Sequence, residues 1–174
     1  MAFIGWDAVG PVATYPTLWA TQGGGPMHYF GIPARVDAAT GKVTRTVADP
    51  DSCWVLDMAR SGDFLCTVIG PDALSLRRAD GSEVWRPAAS MTNYQLAFLS
   101  PDEKRIVRLG TQNDLVSREG GVVAMPEYML VGWLDTNTVI AGRNDFSLEC
   151  ISVAGPPVTT DMDLRGLFVG AIEG

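Results

Sequence analysis

The chain has little of what catalysis and metal binding draw on. It holds a single histidine, His28, and three cysteines, Cys53, Cys66 and Cys150, with no C-x-x-C pair, so zinc-ligand spacing is absent. There is no Gly-x-Ser-x-Gly elbow, and a nucleophile would have to rely on His28 as its base. No catalytic residue, metal or cofactor is therefore expected. Paired carboxylates occur at Asp49/Asp51, Asp161/Asp163 and Asp102-Glu103. Each reads as a turn, where Asp is favoured for its local backbone bonds, and neither Asp pair has the remaining ligands of an EF-hand loop. Positive charge is scarce as well: 13 Lys and Arg stand against 20 Asp and Glu, a net −7. Nucleic acid is excluded as a partner on that balance, because its phosphates would be repelled without a local basic patch. Arg77-Arg78 and Arg105/Arg108 come nearest to one and read as solvated strand faces. No run reaches the roughly 18 apolar residues of a membrane span. The N-terminus lacks a basic segment followed by a long apolar one, so no signal peptide is expected, and its Met-Ala opening directly onto a strand reads as a cut in a longer protein.

What is there is turn chemistry. With 19 Gly and 11 Pro among 174 residues, 47% of them hydrophobic, the chain fits many short strands better than a few long helices, since both residues are costly inside a helix. Its length is that of one domain with a proper core. The stretch 98–107, Phe-Leu-Ser-Pro-Asp-Glu-Lys-Arg-Ile-Val, shows the unit: an apolar run, a Ser-Pro-Asp turn, a charged tip and a second apolar pair. Pro101 presets φ and Asp102 can bond its own backbone, which predicts a tight link between antiparallel strands.

That shape recurs. The residues before each first turn, Trp6, Met58, Leu99, Trp133 and Phe168, are separated by 52, 41, 34 and 35 residues. The first interval is long because it contains an irregular insertion, residues 22–33, rich in Gly at 23–25. A period near 40 residues with four strands per unit is the signature of a propeller blade. The expectation is an all-β propeller of about four four-stranded antiparallel blades, 1–50, 51–90, 91–127 and 128–162, with a closing strand over 163–174. It is either a closed small ring or part of a larger ring completed by self-association.

The 98–107 stretch resembles the "F-S-P-D-G-x-x-I/L" turn of bacterial TolB-like and WD-repeat-like propellers. Val36-Asp-Ala-Ala-Thr-Gly-Lys-Val and Leu76-Arg-Arg-Ala-Asp-Gly-Ser-Glu-Val-Trp are similar to their third-to-fourth strand hairpins, and Val131-Gly-Trp-Leu-Asp-Thr-Asn-Thr-Val-Ile to their "G-W-l-d-x-x-t-l" variant. The Trp-Asp dipeptide that closes the third strand of true WD repeats is missing, which favours the looser bacterial type.

Such a fold hosts enzymes, receptors and scaffolds alike, so function has to come from sites. Propeller packing accounts for Trp6, Trp54, Trp85 and Trp133. Trp19, Met27, His28, Tyr29 and Phe30 are less easily placed in a core and form the candidate contact surface. The reading is a non-enzymatic binding or scaffold propeller for a protein, peptide or glycan partner. The alternatives are an accessory propeller of a hydrolase whose catalytic domain lies outside this chain, and a self-assembling structural fragment. Cys53 and Cys66 flank the turn at Ser61-Gly62 on opposite arms of a hairpin, where they form either a disulfide or two buried thiols. A bridge would agree with an extracytoplasmic setting.

Overall fold

In the computed structural model, the described residues are 2–6, 10–19, 29–45, 53–68, 73–92, 94–125, 130–142 and 147–165. Among them the chain is all β, with no helix. Four sheets follow one another in sequence. The first holds β1 (Ala2–Trp6), β2 (Pro11–Trp19), β3 (Tyr29–Val36) and β4 (Val43–Arg45), the second β5 (Cys53–Met58), β6 (Phe64–Val68), β7 (Ala73–Arg77) and β8 (Glu83–Trp85). The third holds β9 (Tyr94–Leu99), β10 (Arg105–Gly110), β11 (Asn113–Ser117) and β12 (Val122–Met125), the fourth β13 (Leu130–Asp135), β14 (Thr138–Gly142), β15 (Ser147–Ser152) and β16 (Val158–Arg165). Each sheet is an antiparallel meander in which neighbours in space are neighbours in sequence. The blade count and strand count expected from the 40-residue period are therefore met.

The repeat shows in finer detail than strand number. β1, β5 and β13 each carry a bulge against the next strand, between Phe3 and Gly5, Val55 and Asp57, and Trp133 and Asp135. An extra residue there bends the strand and increases its twist. The hairpins repeat as well. Asp37 Oδ1 accepts hydrogen bonds from the amides of Ala39 and Thr40, and Gly41 follows at φ 69°. Asp80 Oδ1 accepts one from Ser82, around Gly81 at φ 86°. These Asp carboxyls lie below their usual range, Asp37 chiefly through its bonds from Thr40 and Asp80 chiefly through Ser82.

Contacts divide the chain into two compact units, Met1–Gln95 and Leu96–Gly174. In the first, β5 lies against β1 and β3, and Val55, Phe64 and Cys66 form a buried cluster with Met58 beside it. In the second, a larger core draws on both sheets: Val107, Leu109 and Leu115 from the third, and Trp133, Val139 and Ile151 from the fourth. Burial of one such side chain stabilises by about 1.5–3 kcal/mol. Polar bonds cross the same seam. Trp133 Nε1 donates to the Phe98 carbonyl at 3.2 Å, and Arg105 Nη1 donates to the Thr136 carbonyl at 2.6 Å and to Asn137 Oδ1 at 3.0 Å.

Four expectations need correction. The irregular insertion does not extend to Pro33, because β3 already begins at Tyr29, and the β-forming Tyr29, Phe30 and Ile32 outweigh Pro33. Pro33 sits one residue beyond Ala34↔Arg45, the last described β3–β4 pair, where a missing donor is tolerated. Leu134-Asp-Thr-Asn-Thr138 reads in sequence as the first turn of the fourth unit, but the turn is shorter, since β13 runs on through Asp135 by way of its bulge and β14 begins at Thr138. Asp161 and Asp163 lie in β16, not in a turn, and β16 also takes the first residues assigned to the closing strand, with Leu164 opposite Leu148. Finally, Arg108 is no solvated strand residue: it is 5% exposed, because Asp114 stands directly across the ladder to meet it. Phe168, Asp49 and Asp51 lie outside the described residues.

Candidate functional site

The β2–β3 ladder of the first sheet carries the residues of interest at its two ends. At one end Leu18 pairs with Phe30 and Trp19 with Tyr29, beyond a register shift between Pro16 and Leu18. A proline inside a central strand has no amide for the ladder, so a bulge at that point relieves the mismatch. Three of the five residues singled out from sequence, Trp19, Tyr29 and Phe30, thus share two neighbouring register positions. Met27 and His28 lie outside the described residues.

At the other end Val12 pairs with Arg35, and Arg35 in turn pairs with Thr44 of β4. An open cavity of about 560 Å³ lies here, lined by Gly10, Pro11, Arg35, Asp37, Lys42 and Thr44 among others. Its wall is held by the β3–β4 hairpin. Asp37 N donates to the Lys42 carbonyl and Gly41 N to the Asp37 carbonyl, both at 2.8 Å, and Lys42 N donates to Thr40 Oγ1 at 3.3 Å. Gly41 takes a left-handed φ that a side chain would resist, so the glycine is what lets the hairpin close. From sequence this hairpin reads as a turn, not as a cavity wall. The signal, two cations at Arg35 and Lys42 on either side of a tight turn, was present but needed the ladder to bring them together.

Two ion pairs among the described residues stand apart from this cavity. Arg108 Nε donates to Asp114 Oδ1 at 2.9 Å and Nη2 to Oδ2 at 2.6 Å, with both side chains under 10% exposed. Glu83 accepts from Arg86 at 2.6–3.1 Å and from the buried Ser75 hydroxyl at 2.9 Å, while Ser75 Oγ accepts from Arg77 Nε. The Arg86 hydrogen bonds, with a smaller contribution from Ser75, hold the Glu83 carboxyl below its ordinary value. Among the described residues no group of three His, Cys, Asp or Glu side chains is placed to hold a metal ion, and no helix is long and apolar enough to cross a membrane.

The cysteines divide. Cys150 is a free thiol, and Cys66, fully buried, is disulfide-bonded. The ladder places Val55 across from Cys66 and Val68 across from Cys53. Cys53 and Cys66 therefore stand diagonally on adjacent strands and not directly opposite.

No family model matches the chain, and no curated protein does. Solved structures do. The chain is similar to the Dos1 propeller, with a TM-score of 0.51 at 10% identity, over 94% of this chain and 47% of that one. Weaker likenesses are to YCF48 bound to D1 peptide (TM-score 0.49, 14% identity, 79% and 49% covered) and to BamB from Moraxella catarrhalis (0.49, 14%, 91% and 56%). The chain spans about half the length of the structures it matches. Four four-stranded meanders and the first of these likenesses identify the fold as a β-propeller.

Proposed function

We propose that this chain is a non-enzymatic propeller module, of the TolB-like bacterial kind, that binds a protein or peptide partner through the Trp19 end of the β2–β3 ladder. The observation that carries the reading is the register: Trp19 stands directly opposite Tyr29, which places two aromatic residues at one position of the ladder. Clusters of Trp and Tyr are the residue types that dominate binding energy at protein interfaces. Met27 and His28 adjoin Tyr29 in sequence and belong to the same proposed surface.

A Cys53–Cys66 bridge belongs to this reading. Cys66 is disulfide-bonded, Cys150 is free, and Cys53 is the remaining cysteine of the sequence. Such a bridge fits an extracytoplasmic protein.

The test is selection of binders from a displayed library of random linear peptides, followed by affinity measurement on Trp19→Ala and Tyr29→Ala. Each substitution is expected to weaken the selected peptides by about thirtyfold or more, the level of a hot-spot residue. Peptides that bind both variants as tightly as the parent would overturn this surface.

A second reading, self-association, is favoured by β12. It is an outer strand, carries no charge, and exposes Val122 at 55% and Val123 at 44%. An uncharged edge of this kind is a template for strand pairing. Light scattering on a size-exclusion column decides it: a dimer that Val123→Lys converts to an 18.6 kDa monomer supports self-association.

A further inference from the structure

The cavity at the opposite end of the β2–β3 ladder is a separate feature. Trp19 lies seven residues along β2 from Val12, which at strand rise is roughly 23 Å. The cavity's charge is also unlike that of the whole. The chain carries −7, yet the lining brings together two cations, Arg35 and Lys42, and one carboxylate, Asp37. Asp37 is already committed to its own hairpin, where Oδ1 accepts two backbone amides. Among the described lining residues the local excess is one positive charge.

We propose that this cavity binds a carboxylate of a peptide, with the Arg35 guanidinium and the Lys42 ammonium as its charged donors and the Thr44 hydroxyl as a third. The two sources of that group are a C-terminus and an acidic side chain. A guanidinium carries five N–H donors in a planar fork, so Arg35 can serve a ligand carboxylate together with its other contacts. One negative charge neutralises the site, whereas a phosphate dianion would leave net negative charge beside Asp37. At about 560 Å³ the cavity falls within the usual range for ligand sites and takes more than a lone ion, which suits the residues that flank a carboxylate. The hairpin bonds fix the backbone at Asp37 and Lys42, so the ordering that opposes binding is chiefly that of the side chains.

The experiment is an NMR titration of the full chain, following backbone amides, with three short probes: acetyl-Ala-Ala-Ala with a free C-terminus, the same peptide as its C-terminal amide, and acetyl-Ala-Glu-Ala amide. Inorganic phosphate forms a fourth arm. Saturable shifts of the Gly41, Lys42 and Thr44 amides are expected with the free acid, the Glu peptide or both, which separates the two sources, and none with the neutral amide. Lys42→Gln and Arg35→Gln are each expected to weaken binding about tenfold, the worth of one charged hydrogen bond. Lys42 is exposed, so its variant keeps the test valid if Arg35→Gln fails to fold. Equal binding of the amide peptide, no binding of any peptide, or binding of phosphate alone would overturn the assignment. None of these outcomes bears on the Trp19 surface, which is tested by other substitutions.

Discussion

The third sheet and the second sheet hold the same kind of ion pair in opposite surroundings. Arg108 and Asp114 face each other across β10 and β11 with side chains 6% and 8% exposed, whereas Arg86 and Glu83 sit at the end of β8 with 49% and 37%. Geometry does not distinguish them, since each has an N–O distance of 2.6 Å. Solvent does. Removing one member of a buried pair strands the other in a low dielectric, while removing one member of an exposed pair hands its partner back to water. The difference shows that a salt bridge in this protein matters by where the ladder puts it.

The largest expected effect breaks the buried pair. Asp114→Ala leaves the Arg108 guanidinium buried without its carboxylate and is expected to cost about 3–5 kcal/mol in denaturant unfolding. The double change Arg108→Met with Asp114→Leu, which removes both charges together, is expected to recover most of that loss. A single-variant cost no larger than that of an exposed pair would erase the contrast.

A middle-sized effect lies in the turns that precede the same two regions. Between β5 and β6 the chain turns through Gly62 at φ 92°, but between β9 and β10 Glu103 takes φ 59°. The resembling propeller motif has glycine there. A left-handed conformation costs a residue with a side chain about 1–2 kcal/mol, less what local bonds return. Glu103→Gly should therefore raise stability by up to about 1 kcal/mol, and Gly62→Ala should lower it by a similar amount. Two thermal melts suffice, and equal signs would show that the turns are not equivalent.

The smallest effect is in the exposed pair, and it depends on pH. Glu83 is held below its ordinary value of 4.5 by Arg86, so its folded form binds protons less readily than the unfolded chain does. That stabilisation is present above the unfolded value and is lost as pH falls through the folded one. Glu83→Gln is expected to cost below about 1 kcal/mol at pH 7, after solvent screening. The difference between parent and variant should shrink toward zero below about pH 4. Taking the difference cancels Asp37 and Asp80, which titrate over the same range in both proteins.

Several parts of this architecture are legible in the chain without coordinates. Asp37, Thr40 and Gly41, like Asp80 and Gly81, mark their hairpins because an Asx bond and a left-handed glycine act within four residues. Strand order follows for the same reason, since tight turns allow only antiparallel neighbours. Arg108 shows where local reading stops. Its neighbours in sequence look like a solvated face, and only the register Arg108↔Asp114 supplies the carboxylate that lets it be buried. The cavity is of the same kind, for Gly10 and Lys42 are 32 residues apart and meet only because β2 and β4 both flank β3. Periodicity and turn chemistry are short-range and survive in the unfolded chain as sequence. Register, burial and the pairing of charges are cooperative properties of the assembled sheets, and tertiary structure alone decided them.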